Sequence, residues 1–272
     1  MKLVKSLLAS ALLASMVTSP VQANTELSDV LTQAVSGDHR SAQNKARDVY
    51  RNPIETLTFF GFKSDMTVVE IAPGGGWYTE ILAPALKGNG TLYAAHYPDT
   101  GEDNYYSRSR KRLEAKLAAD EIYSEVKLTN FIPKTQNDLA PQGSADLVLT
   151  FRNLHNWGQS GVEQVFLDAF KALKPGGVLG VVEHRMPAEQ DFEANKSSGY
   201  FPVAMAIELA EAAGFTLAAS SEINANPKDT ASHPKGVWTL PPVLRLGEKD
   251  KEKYLAIGES DRMTLKFVKP AK

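Results

Sequence analysis

The chain has 272 residues, with 30 lysines and arginines, 32 aspartates and glutamates, and no cysteine. This length fits one or two domains, and 43% hydrophobic with 23% charged residues is ordinary globular composition. The absence of cysteine excludes disulfides, thiolate metal sites and a cysteine nucleophile. A slightly acidic chain lacks the basic surface that nucleic acid and anionic lipid require, so we expect neither as a partner.

The first 23 residues have the features of a secretory signal peptide. Lys2 and Lys5 form a positive n-region, Leu7 to Val17 is an uncharged apolar run, and small residues precede a cleavage site after Ala23. An apolar run of 11 residues is well short of the ~20 that span a bilayer, which argues against an uncleaved anchor. We therefore expect cleavage, a periplasmic or secreted protein, and no stable membrane insertion afterwards.

Residues 24–60 predict an N-terminal helical extension, and from Met66 onward strand-like and helical segments alternate. Pro53 suits the first turn of a short helix. The predicted strands are Thr67–Ala72, Thr91–His96, Glu125–Asn130, Ala145–Phe151, Val178–His184, Thr216–Ile223 and Met263–Val268. The predicted helices between the first six strands are Tyr78–Leu86, Tyr105–Asp120, Gly161–Leu173 and Pro202–Ala213. This alternation predicts an α/β domain over residues 61–272, with a parallel sheet covered by helices on both faces.

The sharpest motif is a glycine-rich loop, Val68-Val69-Glu70-Ile71-Ala72-Pro73-Gly74-Gly75-Gly76, between the first strand and a helix. Glycines there let the backbone approach a ligand, and a helix N-terminus offers free N–H groups. A Walker loop is excluded because no Gly-Lys-Ser/Thr follows, and the glycines do not fit a dinucleotide fingerprint. The carboxylate of Glu70 suits a cationic amine better than a pyrophosphate.

This loop resembles motif I of the class I S-adenosylmethionine (SAM)-dependent methyltransferases. Glu70 matches the family's acid, Ala72 stands in for the first glycine, and Gly74 and Gly76 match the second and third. Later segments are similar to the family's fourth strand, LKPGG turn, AGF entry and seventh strand, namely residues 145–155, 173–177, 213–215 and 261–267. The runs GGGWYTE, FRNLHNW and ESDRMTLKF also resemble a subgroup of exported, predicted methyltransferases.

The resemblance implies a Rossmann-like seven-stranded sheet of order 3-2-1-4-5-7-6, with strand 7 antiparallel, and SAM as cofactor. SAM would lie across the carboxyl ends of strands 1, 2 and 4. The implied cofactor-binding residues are Glu70, Ala72, Pro73, Gly74, Gly75, Gly76, Tyr78, His96 and Asn130. Glu70 would face the methionine amino group. His96 is a departure, since the family usually has an acid there for the ribose hydroxyls; a neutral imidazole can make one such bond, and Asp99 is an alternative.

His96, His155 and His184 follow predicted strands 2, 4 and 5 and should share the ligand-binding edge of the sheet. Each alone fits a satisfied polar group at a strand end, but their grouping favours a site. We expect His155 to act as base or acceptor-orienting group, with His184 second. Arg152 and Asn153 would position the acceptor or the SAM carboxylate. No close H-x-x-x-H spacing supports a metal site, and we assign no metal ligands.

Several other groups leave two interpretations open. Arg40, Arg47, Asp48 and Arg51 predict either a helix crossing the mouth of the site or a salt-bridged surface. Arg108-Ser109-Arg110-Lys111-Arg112 is typical of a solvated helix face. Trp157 and Trp238 fit packing positions or contact with a flat substrate. The long segment Asn224–Pro242 predicts a lid or a packed connection.

The sequence predicts an exported SAM-dependent methyltransferase with an unidentified, small-molecule acceptor. The alternative is a non-catalytic protein on the same fold that binds a small molecule or a cell-envelope partner. A third hypothesis is a metal-assisted hydrolase that uses the histidines. The sequence does not specify the acceptor or the oligomeric state.

Overall fold

The computed structural model describes residues 29–271, so the predicted signal peptide lies outside the described residues. The helices are α1 (29–36), α2 (Ala42–Lys45), α3 (Asp48–Arg51), α4 (Pro53–Phe60), α5 (Thr79–Leu86), α6 (Tyr105–Ala119), α7 (Leu154–Ala172), α8 (Phe192–Asn195), α9 (Val203–Ala212) and α10 (Lys251–Ile257). The strands are β1 (Thr67–Ile71), β2 (Thr91–His96), β3 (Lys127–Asn130), β4 (Ala145–Phe151), β5 (Leu173–Met186), β6 (Phe201–Pro202), β7 (Thr216–Ser221), β8 (Pro234–Val237) and β9 (Arg262–Val268).

The sheet has the strand order β3-β2-β1-β4-β5-β9-β7, with the two-residue β6 paired to β5. Strands β1 to β5 pair in parallel. β9 runs antiparallel to β5 and to β7. Since β7 and β9 are the sixth and seventh strands expected from the sequence, the predicted order 3-2-1-4-5-7-6 and the antiparallel last strand are confirmed.

The central strands are buried on both faces, as their near-continuous apolar runs require. Successive side chains of β1 point to opposite faces. Val68 packs in a core with α1, α4 and α5, whereas Val69 packs in a second core with α7 and α9. The prediction of helices on both faces of the sheet is therefore confirmed.

The N-terminal helices are fastened to the sheet domain by buried polar contacts. The carboxylate of Glu80, on α5, accepts hydrogen bonds from Asn44 at 3.0 and 2.9 Å and pairs with Lys116 of α6. Arg40 forms a two-pronged ion pair with Asp48, with N–O distances of 2.8 and 2.7 Å. The residues before β1 thus extend the same core as the sheet.

The structure differs from expectation at one helix and at the start of one strand, and it adds several short elements. Strand β5 begins at Leu173, before the predicted start at Val178. Helix α7 begins at Leu154, well before the predicted start at Gly161, and its backbone breaks at Gly158 (φ 65°, ψ 174°). Its first turn is held from another strand, as described below, and local sequence does not reveal such support. The predictions also omitted α8, α10, β6 and β8. None of the helices within residues 29–271 combines the length and apolar character needed to cross a bilayer.

Candidate functional site

A cavity of about 620 Å³ opens at the carboxyl ends of β1, β2 and β4. Its walls come from the N-terminal helices, the glycine loop, the end of β2, the first turns of α6 and α7, and the segments around β8 and before β9. The residues that line it include Arg47, Arg51, Ala72, Pro73, Gly74, Gly75, Trp77, His96, Tyr97, Tyr105, Tyr106, Arg152, Asn153, His155, His184, Trp238, Arg245, Glu259 and Ser260. Ligands bind at this edge of open α/β sheets.

The glycine loop forms one wall of the cavity. Gly74 has a φ of 60°, a left-handed conformation that glycine adopts without strain, and a Cβ added to Gly74 or Gly75 would meet no heavy atom within 4 Å. Gly76 lies outside the cavity lining. A Cβ added to Gly76 would come 2.9 Å from Leu113 of α6. The first two glycines therefore leave space for a ligand, and the third permits helix packing.

Four predicted cofactor-binding residues lie outside the cavity lining: Gly76, described above, and Glu70, Tyr78 and Asn130. Glu70 is buried and accepts a 2.6 Å hydrogen bond from the Thr79 hydroxyl. Burial raises the pKa of Glu70 to about 7, against the opposing effects of Thr79 and Lys116. The Tyr78 ring stacks on Phe151 with centroids 3.6 Å apart. Asn130 is exposed and accepts a bond from an arginine of α6. Their contacts with a cofactor remain predictions.

His96 occupies the end of β2 and lines the cavity beside Tyr97. Its Nε2 lies 3.1 Å from the Gly74 carbonyl oxygen and 3.2 Å from the Ser109 hydroxyl, and its Nδ1 lies 3.2 Å from the Tyr97 carbonyl oxygen. Burial lowers the pKa of His96. A neutral imidazole has one N–H, and when Nε2 carries it, His96 donates to the Gly74 carbonyl oxygen and ties β2 to the glycine loop. The alternative acid, Asp99, does not line the cavity and pairs with Lys111 at 3.3 Å.

His155 is oriented by a carboxylate that the sequence analysis missed. Glu183 of β5 is fully buried and lies 3.0 Å from His155 Nδ1. It also accepts the backbone N–H groups of Leu154 at 2.5 Å, His155 at 3.4 Å and His184 at 2.6 Å. Glu183 thus caps α7, whose Asn153 makes no side-chain cap. Because a carboxylate accepts, Nδ1 carries the proton and Nε2 keeps its lone pair.

His184 lies beside His155 with ring centroids 5.2 Å apart. Its Nδ1 is 2.5 Å from the Ser260 hydroxyl. Burial lowers the pKa of His184 well below the usual value, and the neighbouring His155 and Arg152 lower it further. His184 is therefore a neutral group at neutral pH, able to hold a ligand by hydrogen bonding but not by charge.

Within residues 29–271, His155, Glu183 and His184 are the one group whose donor atoms lie close enough for a metal ion, within 4.8 Å of one another. The Glu183 oxygens already receive three backbone N–H bonds and the imidazole N–H. A metal ligand needs a free lone pair directed at the ion, and hydrogen-bond donors occupy this carboxylate. The donor set thus fits a carboxylate–histidine pair better than a metal centre.

A cluster of arginines around Glu259 forms another part of the wall. Glu259 pairs with Arg47 at 2.6 Å, Arg51 at 3.3 Å and the buried Arg262 at 3.2 Å. Burial would raise the pKa of Glu259, but the surrounding arginines outweigh it and lower the pKa to about 2. The Arg51 Nη1 is buried with no hydrogen-bond partner in the described residues. Of the two sequence interpretations, the cavity position holds for Arg47 and Arg51, and the salt bridge holds for Arg40 and Asp48.

Arg152 joins this cluster from the end of β4. It has a φ of 61°, which is strained for a residue with a side chain. Within residues 29–271 its guanidinium makes no hydrogen bond or ion pair, and burial lowers its pKa to about 10 despite the attraction of Glu259. The neighbouring Asn153 donates from Nδ2 to the Ile71 and Ala72 carbonyls, each at 3.3 Å. Asn153 therefore also braces the glycine loop.

The two tryptophans that the sequence left open occupy different environments. Trp157 is buried and donates to the Tyr97 hydroxyl at 2.8 Å, so it is a packing residue. Trp238 lines the cavity, with its ring centroid 6.0 Å from that of His155. The segment Asn224–Pro242, which contains Trp238, therefore forms part of the cavity wall. The signal for Glu183 was its place beside His184 in a buried strand. Arg47 and Arg51 were candidates for the mouth of the site, whereas Glu259 gave no local signal.

The chain has the fold of SAM-dependent methyltransferases. It is similar to a SAM-dependent methyltransferase from Aquifex aeolicus (TM-score 0.54, 13% identity, 89% of this chain and 98% of that chain). It is also similar to a putative sarcosine dimethylglycine methyltransferase from Galdieria sulphuraria (TM-score 0.58, 13% identity, 92% and 99%). The [4+2]-cyclase SpnF has a TM-score of 0.56 at 16% identity, covering 93% and 96%. No protein-family model and no curated protein matches the chain. Fold similarity at this level of identity does not specify the reaction.

Proposed function

We propose that the protein is a SAM-dependent methyltransferase that acts on a small-molecule acceptor. The observation that carries the proposal is a single cavity with two kinds of wall. One wall is the open glycine loop at Gly74 and Gly75, and another contains His155, held by Glu183. A cofactor cradle next to an oriented base is what methyl transfer to a protonated nucleophile requires.

The residues present fit SAM. Open space above Gly74 and Gly75 admits backbone contact with a ligand. The aromatic side chains of Tyr97, Tyr105 and Tyr106 line the cavity near the end of β2, where a purine ring could stack. His96 would give or take one hydrogen bond to a ribose hydroxyl, in place of an acid.

When bound, SAM supplies an activated methyl group on its sulfonium. The chain's own residues then hold the acceptor in line and remove its proton. His155 Nε2 accepts the proton of an attacking hydroxyl or amine, and Glu183 stabilises the imidazolium through Nδ1. His184, kept neutral by burial, donates or accepts one hydrogen bond to the acceptor. Trp238 and Trp77 contribute aromatic surface to the cavity wall.

The proposal includes export, which rests on the sequence of residues 1–23. N-terminal sequencing of the protein recovered from its native cell envelope or medium should begin at Asn24. A chain that begins at Met1 would contradict cleavage. Outside the cytosol the enzyme would depend on SAM that reaches that compartment.

Calorimetric titration with SAM and with its demethylated product, S-adenosylhomocysteine, tests the cofactor assignment. We expect both to bind. Gly75→Leu should abolish binding without changing the unfolding midpoint, because Gly75 has no positive φ and its added Cβ meets open space. Gly88→Ala is a control: its Cβ is also unobstructed, although its φ of 79° brings a cost in stability, and it lies outside the cavity.

No binding by either compound at about a millimolar would contradict the proposal. Unchanged affinity in Gly75→Leu would place the cofactor elsewhere. Binding of both compounds without methyl transfer to any acceptor in a broad panel would favour the non-catalytic binding protein.

A further inference from the structure

The charge of the cavity wall points to the chemical class of the acceptor. Of the described residues that line the cavity, four are arginines and one is a carboxylate, in a chain whose formal net charge is −2. The arginines are Arg47, Arg51, Arg152 and Arg245, and the carboxylate is Glu259. Positive charge is thus concentrated at this site against the balance of the whole chain.

The carboxylates nearby do not neutralise this excess. Glu259 is already shared among three arginines. Glu183 is occupied by the N–H groups at the start of α7 and by His155. Glu70 is buried behind the loop, outside the cavity lining. Within residues 29–271, the guanidinium of Arg152 therefore makes no hydrogen bond or ion pair, and the Nη1 of Arg51 has no acceptor.

Both guanidinium groups have unmet hydrogen-bonding capacity. Arg51 is 2% exposed and has a buried donor without a partner, which costs free energy. Arg152 adds a left-handed backbone conformation. Strain and unmet hydrogen-bonding capacity concentrate at ligand sites, where the ligand supplies the missing partner.

The proposed cofactor does not supply enough negative charge. SAM carries one carboxylate together with an ammonium and a sulfonium, so its binding adds net positive charge to the cavity. Arg47, Arg51 and Arg152 would then face a cationic cofactor with Glu259 as their nearest counter-charge. A second, anionic ligand resolves this imbalance.

We propose that the methyl acceptor is a small acid whose carboxylate or phosphate group pairs with Arg152 and Arg51. The role of this acid as methyl acceptor rests on the proposed function, whereas the anion site itself rests on the positions of the arginines. A planar guanidinium binds such oxyanions with two parallel hydrogen bonds. The remainder of the acid would lie between the arginines and His155, beside Trp238, with its nucleophilic group toward the histidine.

The test is a calorimetric titration of the mature protein with benzoate, benzamide and inorganic phosphate, with and without saturating S-adenosylhomocysteine. Benzoate should bind at least about tenfold more tightly than the uncharged benzamide, since hydrogen bonds to charged groups contribute about this much. Benzoate binding should persist when S-adenosylhomocysteine is present. Phosphate binding with weak benzoate binding would assign the site to phosphorylated acceptors.

Arg152→Gln should weaken benzoate binding about tenfold or more, and Arg152→Lys, which keeps the charge, should retain most of it. Arg112→Gln is the matched control, because Arg112 is exposed on α6, lies outside the cavity and changes the net charge equally. Unfolding midpoints check that the variants fold.

Four results would overturn the proposal: no binding of benzoate or phosphate at about 10 mM, equal affinity for benzoate and benzamide, no effect of Arg152→Gln, or competition between benzoate and S-adenosylhomocysteine. Competition would assign the arginines to the cofactor carboxylate instead. Benzoate binding by a protein that does not bind S-adenosylhomocysteine would contradict the methyltransferase proposal and leave the anion site intact.

Discussion

At the scale of single residues, burial changes the ionisation of Glu70 and makes its contribution to stability depend on pH. Its side chain lies on the face of β1 that packs against α5, and its one hydrogen bond comes from Thr79. Burial raises its pKa to about 7, so the folded protein binds a proton that the unfolded chain releases above its ordinary value of 4.5. The contribution of Glu70 to stability is therefore greatest at low pH and is lost as the pH rises through 7.

We expect Glu70→Gln to flatten the pH dependence of stability. In the unaltered protein, ionisation of Glu70 should lower the free energy of unfolding by about 3 kcal/mol between pH 4.5 and pH 8. Glutamine keeps an acceptor for Thr79 and cannot ionise. Urea unfolding across this pH range measures the effect. Parallel profiles for the two proteins would show that Glu70 ionises as freely in the folded state as in the unfolded chain.

Arg152 offers a second test at this scale, because its φ of 61° penalises any side chain. We expect Arg152→Gly to be more stable than Arg152→Ala by about 1 kcal/mol. Both variants remove the guanidinium, so their difference isolates the backbone conformation. Thermal unfolding provides the measurement, and an alanine variant as stable as the glycine variant would mean that the loop relaxes.

At the scale of elements, Glu259 fastens α3 to the start of β9. Arg47 immediately precedes α3, Arg51 is the last residue of α3, and Arg262 is the first residue of β9. All three pair with Glu259. The same contact fixes two walls of the cavity. The pKa of Glu259 is about 2. The stabilisation from this cluster is therefore fully present above the ordinary pKa of 4.5 and is lost as the pH falls toward 2.

Glu259→Gln should destabilise the protein by about 3–5 kcal/mol, because it leaves buried arginines without their counter-charge. The control is Glu222→Gln, at an exposed ion pair with Arg185, which should cost less than about 1 kcal/mol. Urea unfolding at pH 7 compares the two variants. Equal losses would show that the Glu259 cluster does not hold α3 in place.

At the scale of the whole molecule, the sequence predicted the sheet far better than the site. Strands such as Ala145–Phe151 are continuous apolar runs, and burial on both faces of a parallel sheet produces that pattern. The glycine loop was also predictable, because close backbone approach restricts the residue type. The predicted strand order followed from family resemblance to these local segments.

One interpretation of the sequence placed Arg47 and Arg51 at the mouth of the site. Their pairing with Glu259 lay beyond prediction, because these residues are distant in sequence. Glu259 contacts Arg47 across a separation of 212 residues, and no local spacing indicates that contact. In the sequence, Glu183 is an ordinary residue near the end of a predicted strand. Its role follows from the packing of α7 against β5, which the sequence does not show. The site is thus a product of tertiary packing, whereas the sheet follows from local pattern.

A crystal structure of the mature protein with S-adenosylhomocysteine tests the central claim most directly. We predict electron density for the compound in the cavity, with its amino-acid portion against Gly74 and Gly75 and its ribose within hydrogen-bonding distance of His96. No atom of the compound should contact the guanidinium groups of Arg51 and Arg152 beside His155. Density at another surface, or none at saturating concentration, would contradict the account.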